Sequence, residues 1–381
     1  MIFPRGRISR REVLAAGGTA AIVTALAPFG APAASKPSTA PADPIDPISL
    51  VNPELRAALE RYRKEAGDYP INAGNLARVR KLAVSAPLPS PHFEERLIPG
   101  SQGAPDVHLF VINAAVRDRL RPGMLFIHGG GFIADAASEF VSKLQRMALE
   151  HDCVIVAVDY RLAPETRFPG SLEDNYAALK WLHDSANSLG IDSSRVVVMG
   201  ESAGGGHAAM LTIAARDRGE VPIAFQLLLY PMLDDRTGSS RQIPPYIGKY
   251  VWVRESNRFG WTSLLGVPAG SRVVPAGAVP ARIENLAGLP AAFIGVGSID
   301  LFVDEDVQYA RRLIDSGVPT ELCVVPGGYH GFDIIAPEAP VSKAFRMTWS
   351  AALRKAFDLS AQPKEYQPQR SDPKTATRPP S

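Results

Sequence analysis

From His108 to about residue 357 the chain switches repeatedly between short β-branched runs and longer stretches of helical period. That alternation constrains the fold more than any other feature. The strand-like runs are 108–113, 123–127, 153–158, 196–199, 223–229, 291–295 and 320–325. Between them lie helical patterns at Ser171–Asn187, Ala203–Arg216, Glu305–Asp315 and about 340–357. Strands that take turns with helices need crossover connections, and crossovers place helices on both faces of a mainly parallel sheet. The expected class is therefore α/β. Ser171-Leu-Glu-Asp174 has the spacing of a helix capping box.

The flanks read differently. Asn52-Pro53 opens a helix through about Glu65, with proline in its first turn. Residues 66–100 carry no clear period and read as irregular, and 34–48, rich in Pro, Ala and Ser, reads as a linker. The alternation is also broken once inside, at about 236–285, which reads as an insertion over the carboxyl edge of the sheet. The tail at 360–381 holds five prolines among polar residues and is expected to be disordered.

Charge belongs to one end. Residues 1–33 hold Arg5, Arg7, Arg10 and Arg11 against Glu12, a net +3 against +2 for all 381 residues, leaving −1 for the rest. No basic patch remains to suggest a nucleic-acid partner. Ser9-Arg-Arg-Glu-Val-Leu14 resembles a twin-arginine export motif. The apolar run after it, to about Leu26, is too short and too rich in Gly and Ala to span a bilayer, and Ala31-Pro-Ala33 suits a signal peptidase. Residues 1–33 are thus expected to be a signal peptide, and the mature protein to be periplasmic or secreted. No Cys adjoins the cleavage site, so no stable membrane anchor is expected after cleavage. Cys153 and Cys323 both sit in strand-like runs and are expected to be free, buried thiols. No metal-ligand spacing and no cofactor motif is visible.

Three segments carry chemistry. Gly200-Glu-Ser-Ala-Gly204 falls between a strand and a helix, where a sharp turn lifts the Ser202 hydroxyl above the sheet and demands small neighbours. His128-Gly-Gly-Gly-Phe132 directly follows a strand. Acyl transfer creates an oxyanion that needs preplaced N–H donors, and a polyglycine turn lets the backbone approach the substrate. The amides of Gly129, Gly130 and Ala203 are the expected donors, and His128 is expected to brace the turn. A phosphate loop is the competing reading of the glycines, but the Gly-Lys-Ser/Thr that would support it is absent.

Ser202 needs a base. Of seven histidines only His207 and His330 follow it. His207 lies one turn into the next helix, facing away; His330 lies in a glycine-rich loop just past a strand and is the expected base. Asp300, directly after strand 291–295 and its turn, is preferred over Asp304 as the carboxylate that orients it. Asp304, Glu305 and Asp306 suit the start of the next helix instead.

Taken together, His128–Phe132, Asp159-Tyr-Arg-Leu-Ala-Pro-Glu165, Gly200–Gly205, Asp300 with Asp304-Glu305, and His330-Gly-Phe332 resemble the hormone-sensitive-lipase-like carboxylesterases of the α/β-hydrolase fold. The resemblance covers about residues 100–355. It implies an α/β-hydrolase domain at 96–359 and a helical cap built from an N-terminal arm, 49–95, and the insertion at 236–285. It implies the triad Ser202, Asp300 and His330, no cofactor, and esters of short to medium acyl chains as small-molecule substrates. Two positions depart from the family pattern: Glu201 where Asp is frequent, expected to support the acid loop, and Leu301-Phe302 after Asp300 where Pro-Leu is frequent. Asp159–Arg161 and Glu165 have no derivable chemistry and are expected to hold the loop beside the oxyanion turn. The insertion carries Tyr246, Tyr250, Trp252, Phe259 and Trp261; aromatics there can line a pocket, though packing within the cap is the commoner role. The same residues would also serve a deacetylase of sugar or antibiotic esters, or a lactonase. A binding-only protein on this fold would lack a complete triad.

Overall fold

A computed structural model describes residues 45–359 apart from 68, 82–85 and 102. The expected signal, most of the linker and the tail lie outside the described residues.

Eight strands form one sheet: β1 Phe93–Ile98, β2 Val107–Ile112, β3 Arg121–Ile127, β4 Val154–Asp159, β5 Ile191–Glu201, β6 Phe225–Leu229, β7 Ala291–Gly297 and β8 Thr320–Val325. Their order is β1-β2-β4-β3-β5-β6-β7-β8, antiparallel at β1–β2 and β2–β4 and parallel from there on. The helices are α1 Pro53–Ala66, α2 Leu76–Val79, α3 Val141–Glu150, α4 Gly170–Asp184, α5 Ala186–Leu189, α6 Ala203–Arg218, α7 Arg254–Leu265, α8 Val303–Asp315, α9 Phe332–Ile335 and α10 Pro340–Leu359.

The central strands are apolar on both faces, so each feeds two cores. Leu125, Ile127, Val156, Val158, Val196, Val198 and Ile294 pack toward α4, α6 and α8. The alternate residues Met124, Phe126, Ile155, Ala157, Val197, Met199 and Phe293 pack toward α1, α3 and α10. Burying each such side chain contributes about 1.5–3 kcal/mol. A one-residue slip would exchange the two sets, so the register of the strands is fixed where the site will stand.

Four expectations change. Residues 93–98, read as irregular, form an edge strand paired with β2 along its full length. Its Glu94, Glu95 and Arg96 hide the strand period; such charges are common on edges, where they discourage pairing with other chains. β5 starts at Ile191, five residues before the expected strand, and its register against β3 shifts between Arg121 and Gly123. The polar run there turns on itself, with Asp192 accepting from the Ser194 amide and hydroxyl and from Arg195. The capping box at Ser171–Asp174 does not form. Helix α4 follows Pro169 with no side-chain cap, and Asp174 instead accepts from the Arg161 amide and guanidinium at 2.7–3.1 Å. A bidentate charge-assisted pair outcompetes a neutral cap. Both cysteines are free as expected, but Cys323 is only half-buried.

Candidate active site

Ser202 sits between β5 and α6 with φ 57° and ψ −122°, a conformation that costs a non-glycine residue about 1–3 kcal/mol. The surroundings fix it there. Its amide donates to Leu229 O at 2.9 Å, and its carbonyl accepts from Gly206 and Met232 at 3.1 and 2.9 Å. The turn is so tight that a Cβ on Gly200 would lie 2.1 Å from Gly204 O, and one on Gly204 2.0 Å from Ile127 O. A Cβ on Gly206 would lie 2.2 Å from Met232 O. These glycines are steric requirements of the turn.

His330 reaches the same point from the loop after β8. Its Nε2 lies 2.9 Å from Ser202 Oγ and its Nδ1 2.8 Å from Asp300 Oδ2. A carboxylate only accepts, so Nδ1 donates and Nε2 is left to accept from the hydroxyl. Asp300 leaves the end of β7 fully buried, and its other oxygen accepts from Phe302 N at 3.0 Å. The rings of Tyr230 and Phe302 stand edge-on to the imidazole, at 5.0 and 5.2 Å. Asp304 faces solvent and accepts from Gln308 and Arg241, while Glu305 is buried and accepts from the amides of Leu233 and Asp234. Neither touches His330.

The glycine turn lies against the serine. A Cβ on Gly129 would stand 3.4 Å from Ser202 Cβ, and Gly130 and Gly131 both have positive φ. Neither Gly129 nor Gly130 donates its amide to a backbone carbonyl among the described residues. Ala203 is the first residue of α6, where an N–H has no intrahelical partner. The three expected donors are therefore grouped around Ser202 with no backbone acceptor of their own.

A shell that the sequence left without chemistry holds this turn. Tyr160 donates to His128 O and Gly129 O at 3.0 and 2.9 Å, and His128 stacks on its ring at 4.2 Å. Asp159 accepts from Ala137 N. Arg80 donates to Ile133 O and Ala163 O and pairs with Glu165, whose carboxyl it holds down to about 2. Tyr160 lies in the Asp159–Arg161 segment expected to hold the loop beside this turn, and its hydroxyl does so; Arg80 is the member that sequence reasoning missed. His207 is buried against Phe132 and Tyr160, away from Ser202 Oγ. Burial lowers His128 to about 4 and His207 to about 3, so both are neutral at ordinary pH. Glu201 corrects an expectation: its carboxylate pairs with Lys143 of α3, not with the acid loop.

A cavity of about 300 Å³ opens onto Ser202 and His330. Tyr62, Ile71 and Val79 from the N-terminal arm line it, as do Val251 and Trp252 from the 236–285 segment. Of the five aromatics in that segment, Trp252 lines the cavity, whereas Trp261 is fully buried against Phe132. A second cavity, about 260 Å³ between β1 and α5, shares no residue with it.

Known proteins share this fold. A family model described as α/β-hydrolase fold matches residues 124–334. A carboxylesterase of Mycobacterium tuberculosis, NlhH, is 33% identical over 288 residues, 74% of this chain and 88% of its own. Esterase LipI of the same organism is 35% identical over 225 residues, 57% of this chain and 68% of its own. Among solved structures, a bacterial heroin esterase superposes with TM-score 0.67 at 34% identity, covering 81% of this chain and 99% of that one. The chain belongs to the α/β-hydrolase-fold family, among its hormone-sensitive-lipase-like carboxylesterases.

Proposed function

We propose that the chain hydrolyses carboxylic esters of short to medium acyl chains through a covalent acyl-enzyme on Ser202. The observation that carries this is the hydrogen-bonded line Asp300–His330–Ser202, at 2.8 and 2.9 Å, closing on the cavity. His330 Nε2 takes the Ser202 proton as Oγ attacks the ester carbonyl carbon, and the carbonyl electrons move onto oxygen. Asp300 holds the tautomer and stabilises the imidazolium. The oxyanion is received by the amides of Gly129, Gly130 and Ala203, each such donor typically contributing about 3–4 kcal/mol. On collapse the alkoxide leaves with the proton from His330. Water, deprotonated by His330, then attacks the acyl-enzyme and releases the acid and Ser202. Residues of the arm and of 236–285 act as a cap over the cavity, whose volume sits at the small end of the usual range of roughly 300–1,000 Å³ and so supports short to medium chains.

The test is p-nitrophenyl acetate turnover by wild type and Ser202→Ala. The variant is expected to lose on the order of 10⁴- to 10⁶-fold in kcat. Equal low rates in both would refute the reading. A series of esters from acetate to palmitate checks chain length; a sharp preference for palmitate would contradict the cavity argument.

A further inference from the structure

The cavity over Ser202 carries one charge that nothing nearby balances. Among its wall residues Glu201 is paired with Lys143, and His330 lies between Asp300 and Ser202. The carboxyl of Asp135, also in the wall, has no hydrogen bond and no ion pair among the described residues. The cations that come near are committed elsewhere. Lys143 serves Glu201, and Arg80 serves Glu165 and two carbonyls. Its acidic neighbour Glu139, one turn on, has no cation partner either, and burial followed by the charge of Asp135 pushes its carboxyl up to about 7.

Asp135 also stands in a costly backbone conformation. Its φ is 63°, in the left-handed region that glycine occupies freely and other residues enter at a cost. Its Cγ lies 3.0 Å from where a Cβ on Gly130 would be, so the carboxyl leans on the oxyanion turn itself. Protein surrounds it closely enough to push the carboxyl up to about 6, yet part of its surface stays open to the cavity. Trp252, also in the wall, packs on the same turn: its ring would lie 2.1 Å from a Cβ on Gly131. The neighbouring wall is apolar, from Ile71, Val79 and Ala134.

An anion at this point opposes the negative charge that grows on the ester oxygen during attack, in a site where water screens weakly. A cation on the substrate removes that opposition and gives the Asp135 carboxylate the partner it lacks. We propose that Asp135 selects esters that carry a positive charge, a protonated amine or a quaternary ammonium, within a few bonds of the scissile group. The proposal rests on the ester-hydrolase reading above.

The experiment compares kcat/KM for acetylcholine and for 3,3-dimethylbutyl acetate, its uncharged carbon isostere, in wild type and Asp135→Asn. Asparagine keeps the size and tolerates positive φ, so the variant retains the turn. Wild type is expected to favour the choline ester by roughly tenfold or more, and the variant to bring the ratio near one. A wild-type ratio near one, or a ratio that Asp135→Asn does not move, would overturn the proposal. If neither ester nor p-nitrophenyl acetate is turned over, it is the hydrolase reading that fails. Calorimetric binding of choline at pH 8 then decides Asp135 separately: weaker binding by the variant supports the role, and equal binding overturns it.

Discussion

Beneath the cavity, backbone presses on backbone. Gly200, Gly204 and Gly206 leave no room for a Cβ, and Tyr160 with two neutral histidines props the oxyanion turn from below. Above it, the 236–285 segment is fastened by guanidinium groups on buried carboxylates. Arg282 donates twice to Asp235 at 2.7 Å, and Arg236 and Arg241 both hold Asp234 at 2.8 Å, while Asp235 also accepts from Gly270 N. The lower layer positions reacting atoms, and its backbone contacts leave no space for a side chain at Gly200, Gly204 or Gly206. The upper layer shapes the space above them and is fastened by ion pairs.

The steric half of this contrast is the easier to break. In Gly204→Ala the new methyl would stand 2.0 Å from Ile127 O and 2.4 Å from His128 O, both backbone atoms that anchor the oxyanion turn. The expected cost is about 4 kcal/mol or more, with activity lost alongside. Gly219→Ala is the control: it keeps a positive φ of 68° but meets nothing within 4 Å, and should cost only about 1 kcal/mol. Denaturant midpoints for the two variants measure the difference. Similar values would mean that the nucleophile turn relaxes and is not sterically locked.

The ionic half is tested by Arg282→Ala. Asp235 is fully buried and would keep only the Gly270 amide as partner. Breaking a buried pair from one side costs about 3–5 kcal/mol, and the partial exposure of Arg282 argues for the lower figure. A loss under about 1 kcal/mol in urea unfolding would show that packing, not charge, fastens this segment.

The same contrast explains what was legible in the sequence. Ser202, Asp300, His330 and the glycine turn could be found because their chemistry and their steric setting each demand specific residue types in a fixed chain order. Strands β2 to β7 were legible because burial on both faces leaves apolar runs, and β8, partly exposed, because Leu322-Cys-Val-Val325 is itself apolar. β1 was not, since an exposed edge carries charges that hide its period. The Ser171–Asp174 spacing misled because a distant partner, Arg161, competes for the Asp174 carboxylate. Glu201 misled for the same reason, its partner Lys143 lying 58 residues away in the chain. Arg80 could not have been assigned from the sequence, because its contacts to Ile133 and Ala163 exist only once the arm has folded back.

Acid separates the two layers more gently. His128 and His207 are fully buried, and burial lowers them from 6.5 to about 4 and about 3, with the charge of His128 adding to the shift in His207. Because both folded values lie below the unfolded one, the unfolded chain takes up protons first as pH falls. Stability is whole above pH 6.5 and declines below it, until about pH 4 for His128 and about pH 3 for His207. The slope is at most about 1.4 kcal/mol per pH unit for each histidine. Between pH 7.5 and 5 each should therefore cost about 2 kcal/mol. In the shell around the oxyanion turn, Arg80 holds the Glu165 carboxyl down to about 2, so that pair persists through the same window. His207 offers the cleaner test. Both its ring nitrogens lack a hydrogen-bond partner among the described residues, so His207→Leu removes a titrating group without orphaning another. The variant should lose about 2 kcal/mol less stability than wild type between pH 7.5 and 5, read from urea unfolding at the two pH values. If its midpoints fall as steeply as those of wild type, the acid-sensitive groups lie elsewhere, and the lower layer is not the part that acid loosens first.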